Sequence, residues 1–197
     1  KKTDELPKDS LFIFSINDQK LKVIPSVKSF QLAEKGNDLL VYLNDKKVVL
    51  HQIPSGIFHA DKINLIGNGV VLDVVTLKKE CDAVAAFGVD VKKNLFISER
   101  THLILPTHRA LDKASELSKG QDKIGSTLKG IGPAYMDKTG RNGLRVGDIL
   151  DKNFTTNYIK LRMKHQRLLD NFNFQEDISV WEEEFFDGIE FLRSLNI

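Results

Sequence analysis

One cysteine in 197 residues leaves no partner for an intrachain disulfide, which fits a reducing compartment. Cys81 falls on the apolar side of an expected helix and reads as a small packed hydrophobe, with a redox role as the minor alternative. No apolar run approaches the ~20 residues that a membrane-spanning helix needs. The first ten residues carry no signal-peptide pattern. These absences point to a cytoplasmic chain with no membrane partner. Net charge is also nearly absent: 29 Lys+Arg against 27 Asp+Glu give +2, which offers no footing for general nucleic-acid binding. With five prolines there is no Pro-rich linker, and neither a repeat nor a low-complexity tract is visible. What remains is ordinary globular composition, 41% hydrophobic and 28% charged, in a chain long enough for one large domain or a small one with extensions.

Glycine is present but unevenly placed. Gly125, Gly130, Gly132, Gly140 and Gly143 share with Pro133 the stretch Ile124 to Gly143, which reads I-G-S-T-L-K-G-I-G-P-A-Y-M-D-K-T-G-R-N-G. Glycine raises the backbone entropy cost and proline removes a donor, so no continuous helix or strand is expected and the stretch reads as a loop. Ser126 and Thr127 offer adjacent hydroxyls; Lys129, Lys138, Arg141 and Arg145 offer positive charge. An anionic ligand such as a nucleotide phosphate needs these groups. The pattern is neither the P-loop nor the dinucleotide fingerprint, and on the residues alone a plain surface loop remains the alternative.

Around this stretch, short apolar runs alternate with helical patterns, which implies an α/β fold. Leu11 to Ile16 has the length and composition of a strand covered on both faces. Leu40 and Tyr42 face Val48 and Leu50 across Asn44-Asp45-Lys46, which predicts a hairpin. Ile63 to Ile66, Leu95 to Ile97 and Leu103 to Leu105 read as strands, Val74 to Phe87 and Thr107 to Leu117 as helices. Beyond Leu150, Phe154, Tyr158, Leu161, His165, Leu168 and Phe172 recur at helical spacing. So do Ile178, Trp181, Phe185, Ile189 and Leu192. Two amphipathic helices joined near Asn173 as an antiparallel pair are predicted, their aromatics in the core and His165 packed or partly exposed. Glu182-Glu183-Glu184 reads as a solvated face, with no metal-ligand spacing.

The stretch G-S-T-x-K-G-I-G-P-A-Y-x-D-K-x-x-R-x-G-L-R-V-G-D resembles the IMP-binding segment of the adenylosuccinate synthetase family. His51 to Asp73 (H-Q-I-P-S-G-I-F…I-G-N-G-V-V-L-D) and His102 to Asp112 (H-L-I-L-P-T-H-R-A-L-D) resemble it in order and spacing. The resemblance is close over residues 39–150 and looser outside them. It implies a mostly parallel central sheet flanked by helices, with residues 1–150 as a partial synthetase-like domain and 151–197 as a helical pair packed on it. Family members are about twice this length, so the chain is expected to represent their N-terminal half and to be a piece of a longer protein.

The family joins IMP to aspartate at the expense of GTP with magnesium. By resemblance, Ser126 and Thr127 correspond to the hydroxyl pair at the IMP phosphate, and Arg141 to the arginine that reaches across a dimer interface to the partner's IMP. A homodimer or a heterodimer with a paralogue is thereby implied. The family's G-D-E-G-K-G-K phosphate loop is replaced by Asn17-Asp18-Gln19-Lys20-Leu21-Lys22. Asp18 fits the catalytic aspartate, and Lys20 and Lys22 fit the two lysines, but every glycine is gone and one position is deleted. A phosphate nest without glycine costs about 1 kcal/mol or more for each strained residue. The helix that follows is cut short over Val23 to Ser29, with Pro25 inside it. Where the family has F-Q-G-G-x-N-A-G-H-T, this chain has Phe30-Gln31-Leu32-Ala33-Glu34-Lys35-Gly36-Asn37-Asp38-Leu39, without clear counterparts for the IMP-contacting asparagine or the transition-state histidine. Three readings follow: a piece of a working ligase, a catalytically impaired paralogue that still binds IMP, and a structural or regulatory subunit that reuses the dimer surface. The degraded loop favours the second.

Overall fold

The computed structural model describes residues 11–14, 21–24, 27–32, 40–44, 49–122 and 125–197. It divides into two units, residues 1–49 and 50–197.

The first unit holds two antiparallel pairs. β1 (Leu11–Phe14) pairs with β2 (Leu21–Ile24), Leu11 opposite Ile24 and Phe14 opposite Leu21. β3 (Val27–Leu32) pairs with β4 (Leu40–Asn44), with a register shift between Val27 and Ser29. Two expectations change here. β4 takes β3 as its partner, not the segment after Asn44-Asp45-Lys46; Val49 and Leu50 carry no strand and Val48 lies outside the described residues. The ladder Phe30–Tyr42, Gln31–Val41, Leu32–Leu40 offers more cross-strand pairs than a two-residue arm could. The shortened helix expected over Val23 to Ser29 is replaced by the end of β2 and the start of β3, consistent with β-branched Val23, Ile24 and Val27 around Pro25.

In the second unit the strands are parallel. β5 (Asn64–Ile66) pairs with β7 (Leu95–Ile97), and β6 (Val71–Leu72) with β8 (His102–Leu103). Between them runs α1 (Val74–Ala85). Its cap is Asp73, whose Oδ1 accepts from the amides of Val75 and Thr76 at 3.0 and 3.3 Å, the kind of cap worth ~1 kcal/mol. The helix is followed by Gly88 at φ 79°, a conformation glycine reaches cheaply. After β8 come α2 (Pro106–Ser118), α3 (Ile131–Thr139), α4 (Phe154–Asn171) and α5 (Ser179–Leu192). Pro106 opens α2 where its missing N–H costs nothing.

Periodicity puts Leu77, Cys81 and Val84 of α1 and Phe185, Ile189 and Leu192 of α5 in one core with Leu72, Leu95 and Leu103. Gly188 lets α5 close on α1: a Cβ there would sit 2.8 Å from Val74 Cγ2. α4 and α5 run in opposite senses, since Tyr158 stacks on Phe185 and Arg162 pairs with Glu182 while Leu169 and Ile178 share a smaller cluster. Glu182 thus leaves the solvated acidic face expected of residues 182–184; its carboxylate accepts from Tyr158 Oη at 2.7 Å and from Arg162 Nε at 2.5 Å. Among the described residues no helix is long and apolar enough to cross a membrane.

Candidate anion-binding loop and its cleft

The glycine-rich stretch is not loop throughout. Residues 131–139 form α3, because Gly132 and Pro133 fall in its first turn, where a missing amide donor breaks no intrahelical bond. The loop proper is residues 125–130. Gly130 enters it at φ 76°, so close to α2 that a Cβ would lie 2.7 Å from the amide N of Arg109. No other residue type fits without moving α2.

Two carboxylates one turn apart on α2 hold this loop. Asp112 Oδ1 accepts from Ser126 Oγ at 2.7 Å and Oδ2 from the Gly130 amide at 2.9 Å. Glu116 Oε1 accepts from the amides of Gly125 at 2.6 Å and Ser126 at 3.3 Å, and its Oε2 from Lys119 Nζ at 3.2 Å. The Gly125 amide first, and then Lys119, hold the Glu116 carboxyl below the usual carboxylate range. Ser126 Oγ in turn accepts from the amide of Leu128, itself at φ 55°. Thr127 and Lys129 are exposed and have no side-chain hydrogen bond among the described residues.

Lys129 and the start of α3 form one wall of a cleft of about 390 Å³. His51, Gln52, Asp73 and Thr76 line the other side. That wall is rigid for a local reason: buried Glu80 accepts the successive amides of His51, Gln52 and Ile53 at 2.7, 3.1 and 3.0 Å. Gln52 locks to Asp73 in both directions, Nε2 donating to its carbonyl at 3.0 Å and Oε1 accepting its amide at 3.1 Å. α3 is tied to the turn beneath it. Tyr135 Oη donates to the Gly69 carbonyl at 2.9 Å and Lys138 Nζ to that of Asn68 at 2.6 Å.

A buried cluster that the sequence did not reveal joins α2, α3 and α4. Asp137 Oδ2 accepts from His108 Nε2 at 3.0 Å and His165 Nε2 at 2.7 Å, while Oδ1 accepts from Lys164 Nζ at 3.0 Å. His108 Nδ1 accepts the Leu105 amide at 3.0 Å, so its ring is neutral with the proton on Nε2. Desolvation pushes the His108 pKa down, against the raising effect of Asp137. Asp137 is itself held far below the carboxylate range by His108, His165 and Lys164, which together outweigh its own desolvation. His108, Asp137 and His165 lie close enough to ligate a metal ion, but His108 Nε2 would have to lose its proton while its Nδ1 still accepts the Leu105 N–H. Hydrogen bonding accounts for the cluster and a cation does not fit.

Lys22 stands in β2 opposite Ile13, while Asp18 and Lys20 lie outside the described residues. Arg141, at φ 59°, is exposed beyond the far end of α3, and its side chain has no hydrogen bond among the described residues. The nine residues of α3 separate it from Ser126 and Thr127 by ~13 Å of helix at 1.5 Å per residue. One chain does not bring these predicted site residues together.

A sequence profile described as adenylosuccinate synthetase matches residues 33–196. The chain belongs to the adenylosuccinate synthetase family. An adenylosuccinate synthetase of Flavobacterium johnsoniae is 57% identical over 152 residues, 76% of this chain and 36% of the relative. That of Bacteroides fragilis is 50% identical over 152 residues, covering 77% of this chain and 36% of the relative. The structure of fully ligated adenylosuccinate synthetase from Plasmodium falciparum superposes with a TM-score of 0.67 at 30% identity, covering 79% of this chain and 36% of that one. The chain therefore spans about a third of the length of the adenylosuccinate synthetases it matches, and that solved structure shares its α/β architecture.

Proposed function

We propose that the chain is an adenylosuccinate synthetase-like protein of purine nucleotide metabolism that keeps part of the IMP side of the family's site and is impaired on the GTP side. The observation that carries this reading is the clamped loop 125–130, which puts Lys129 on the wall of an open cleft and leaves it and exposed Thr127 without a side-chain hydrogen bond among the described residues. Such a loop suits a phosphate monoester through the groups it leaves over: the Thr127 amide and hydroxyl can donate, and Lys129 neutralises the charge. In this reading residues 1–150 correspond to the partial α/β domain and 151–197 to its helical pair.

Impairment rests on the N-terminal segment. A phosphate nest needs successive amides that converge, and a strand turns them to alternate sides. Leu21 and Lys22 belong to a strand, and no glycine occurs between Asn17 and Lys22. These residues do not fit magnesium and GTP, and no phosphoryl-transfer step is derived from them. The distance between Thr127 and Arg141 supports a second subunit, identical or a paralogue, as the source of the arginine at each IMP.

Calorimetric titration of the purified chain tests the reading. IMP should bind, more weakly after Arg141→Ala, while GTP with magnesium gives no heat and IMP, GTP and aspartate give no turnover. Tight GTP binding or turnover would overturn the impairment. Silence with IMP and GTP alike would favour the alternative, a structural or regulatory subunit that ignores nucleotides.

A further inference from the structure

We infer that Ser126 and Asp112 are positioning residues for the nucleotide loop, and that Thr127 and Lys129 are the groups that contact the anion. The inference rests on the IMP reading above and divides the roles of the two adjacent hydroxyls, which the sequence presents as an equivalent pair.

A hydroxyl has one proton to donate. That of Ser126 goes to Asp112 Oδ1 at 2.7 Å, and the same oxygen accepts the Leu128 amide at 3.2 Å. Its directional capacity is spent inside the protein. The Ser126 and Gly125 amides are likewise taken by Glu116, and the Gly130 amide by the second oxygen of Asp112. A phosphate placed on any of these four donors would have to displace a carboxylate and would leave that carboxylate unpaired beside a dianion, which repels it.

The two oxygens of Asp112 grip both ends of the segment from Ser126 to Gly130. Between the grips the backbone turns left-handed at Leu128, an uncommon conformation for a side-chain residue that holds only where the surroundings enforce it. The effect is to leave Thr127 exposed, its amide and hydroxyl unengaged among the described residues, two positions before Lys129 at the cleft wall. Asp112 thus supplies order to the loop, and both of its carboxylate oxygens are occupied by the donors it holds.

The test combines amide hydrogen exchange over residues 125–132 with calorimetric titration of IMP. Ser126→Ala and Asp112→Asn should each speed loop exchange and weaken IMP by about tenfold, the loss expected for one charge-assisted bond. The double variant should lose less than the sum of the two single losses, because the Asp112–Ser126 bond is common to both. Ser126→Thr, which keeps the hydroxyl, should restore both readouts. Thr127→Ala should weaken IMP by about tenfold with loop exchange unchanged. Weakened IMP binding in Ser126→Ala without faster exchange would make Ser126 a direct contact and overturn the inference. So would an unchanged affinity in Thr127→Ala. Should the wild-type chain not bind IMP, the functional reading falls, and the exchange rates of Ser126→Ala and Ser126→Thr still decide whether Asp112 sets the loop.

Discussion

Two glycines separated by one residue should respond to alanine with opposite signs. At Gly130 a new Cβ would lie 2.7 Å from the Arg109 amide N and 2.8 Å from the His108 carbonyl carbon, on a residue at φ 76°. The left-handed backbone costs alanine about 1 kcal/mol. Forcing α2 and the loop apart adds about 1–3 kcal/mol, as for other overpacked sites. The sum, ~2–4 kcal/mol, lowers the melting temperature of a domain this size by roughly 5–15 °C. At Gly132 nothing lies within 4 Å of the new Cβ and the residue is helical. There alanine removes unfolded-state freedom, and the gain is about 0.4–1 kcal/mol. Thermal unfolding followed by circular dichroism measures both. A Gly130→Ala protein that melts within about 2 °C of wild type, or a Gly132→Ala protein that loses as much as Gly130→Ala, would refute the close approach of the loop to α2.

Acid should weaken the fold in two separate windows. His108 has a folded pKa below its unfolded value, so the unfolded chain binds the extra proton. Stability is complete above about pH 6.5 and falls as pH drops from there, by at most about 1.4 kcal/mol per unit for this one group. Asp137, held low by its partners, contributes stability that is complete above about pH 4 and is lost below it, where the unfolded carboxyl takes up its proton. Urea midpoints measured from pH 8 to pH 4 should decline first near pH 6.5, and the upper decline should shrink in His108→Gln to the share of His102, whose pKa burial also lowers; a flat profile would refute the neutral assignment. Burial pushes the Cys81 thiol up to about 12. At pH 8 about one part in 10⁴ is thiolate, so a thiol reagent should label the denatured chain and spare the native one. Rapid native labelling would contradict the packing around Cys81.

Much of this architecture was legible in the sequence because its signals are local. The 3.6-residue spacing of Leu77, Cys81 and Val84 marks α1, and the spacing of Tyr158, Leu161, His165 and of Phe185, Ile189, Leu192 marks α4 and α5. α3 escaped because its glycines and proline argue against a helix interior, whereas they occupy its first turn. The partner of β4 escaped because strand pairing is decided by competition between segments and not within one. The Asp137 cluster unites residues 29 and 28 positions apart, and nothing in such spacing signals it. The loop clamp did leave a trace: two carboxylates four residues apart on a helix, Asp112 and Glu116, followed within ten residues by Gly125-Ser126. Read as loop anchors, they separate the two hydroxyls of 126 and 127 into different tasks.

The ties from Tyr135 and Lys138 to the carbonyls of Gly69 and Asn68 have a mechanical consequence. α3 follows the 125–130 loop directly and is tied along its length to the turn beneath it, so the two are mechanically connected. A tilt that brings Thr127 toward a bound anion also drags residues 68–69 and changes the width of the cleft. If the loop takes an anion as proposed, seating it and changing the width of the cleft would be coupled through these two ties.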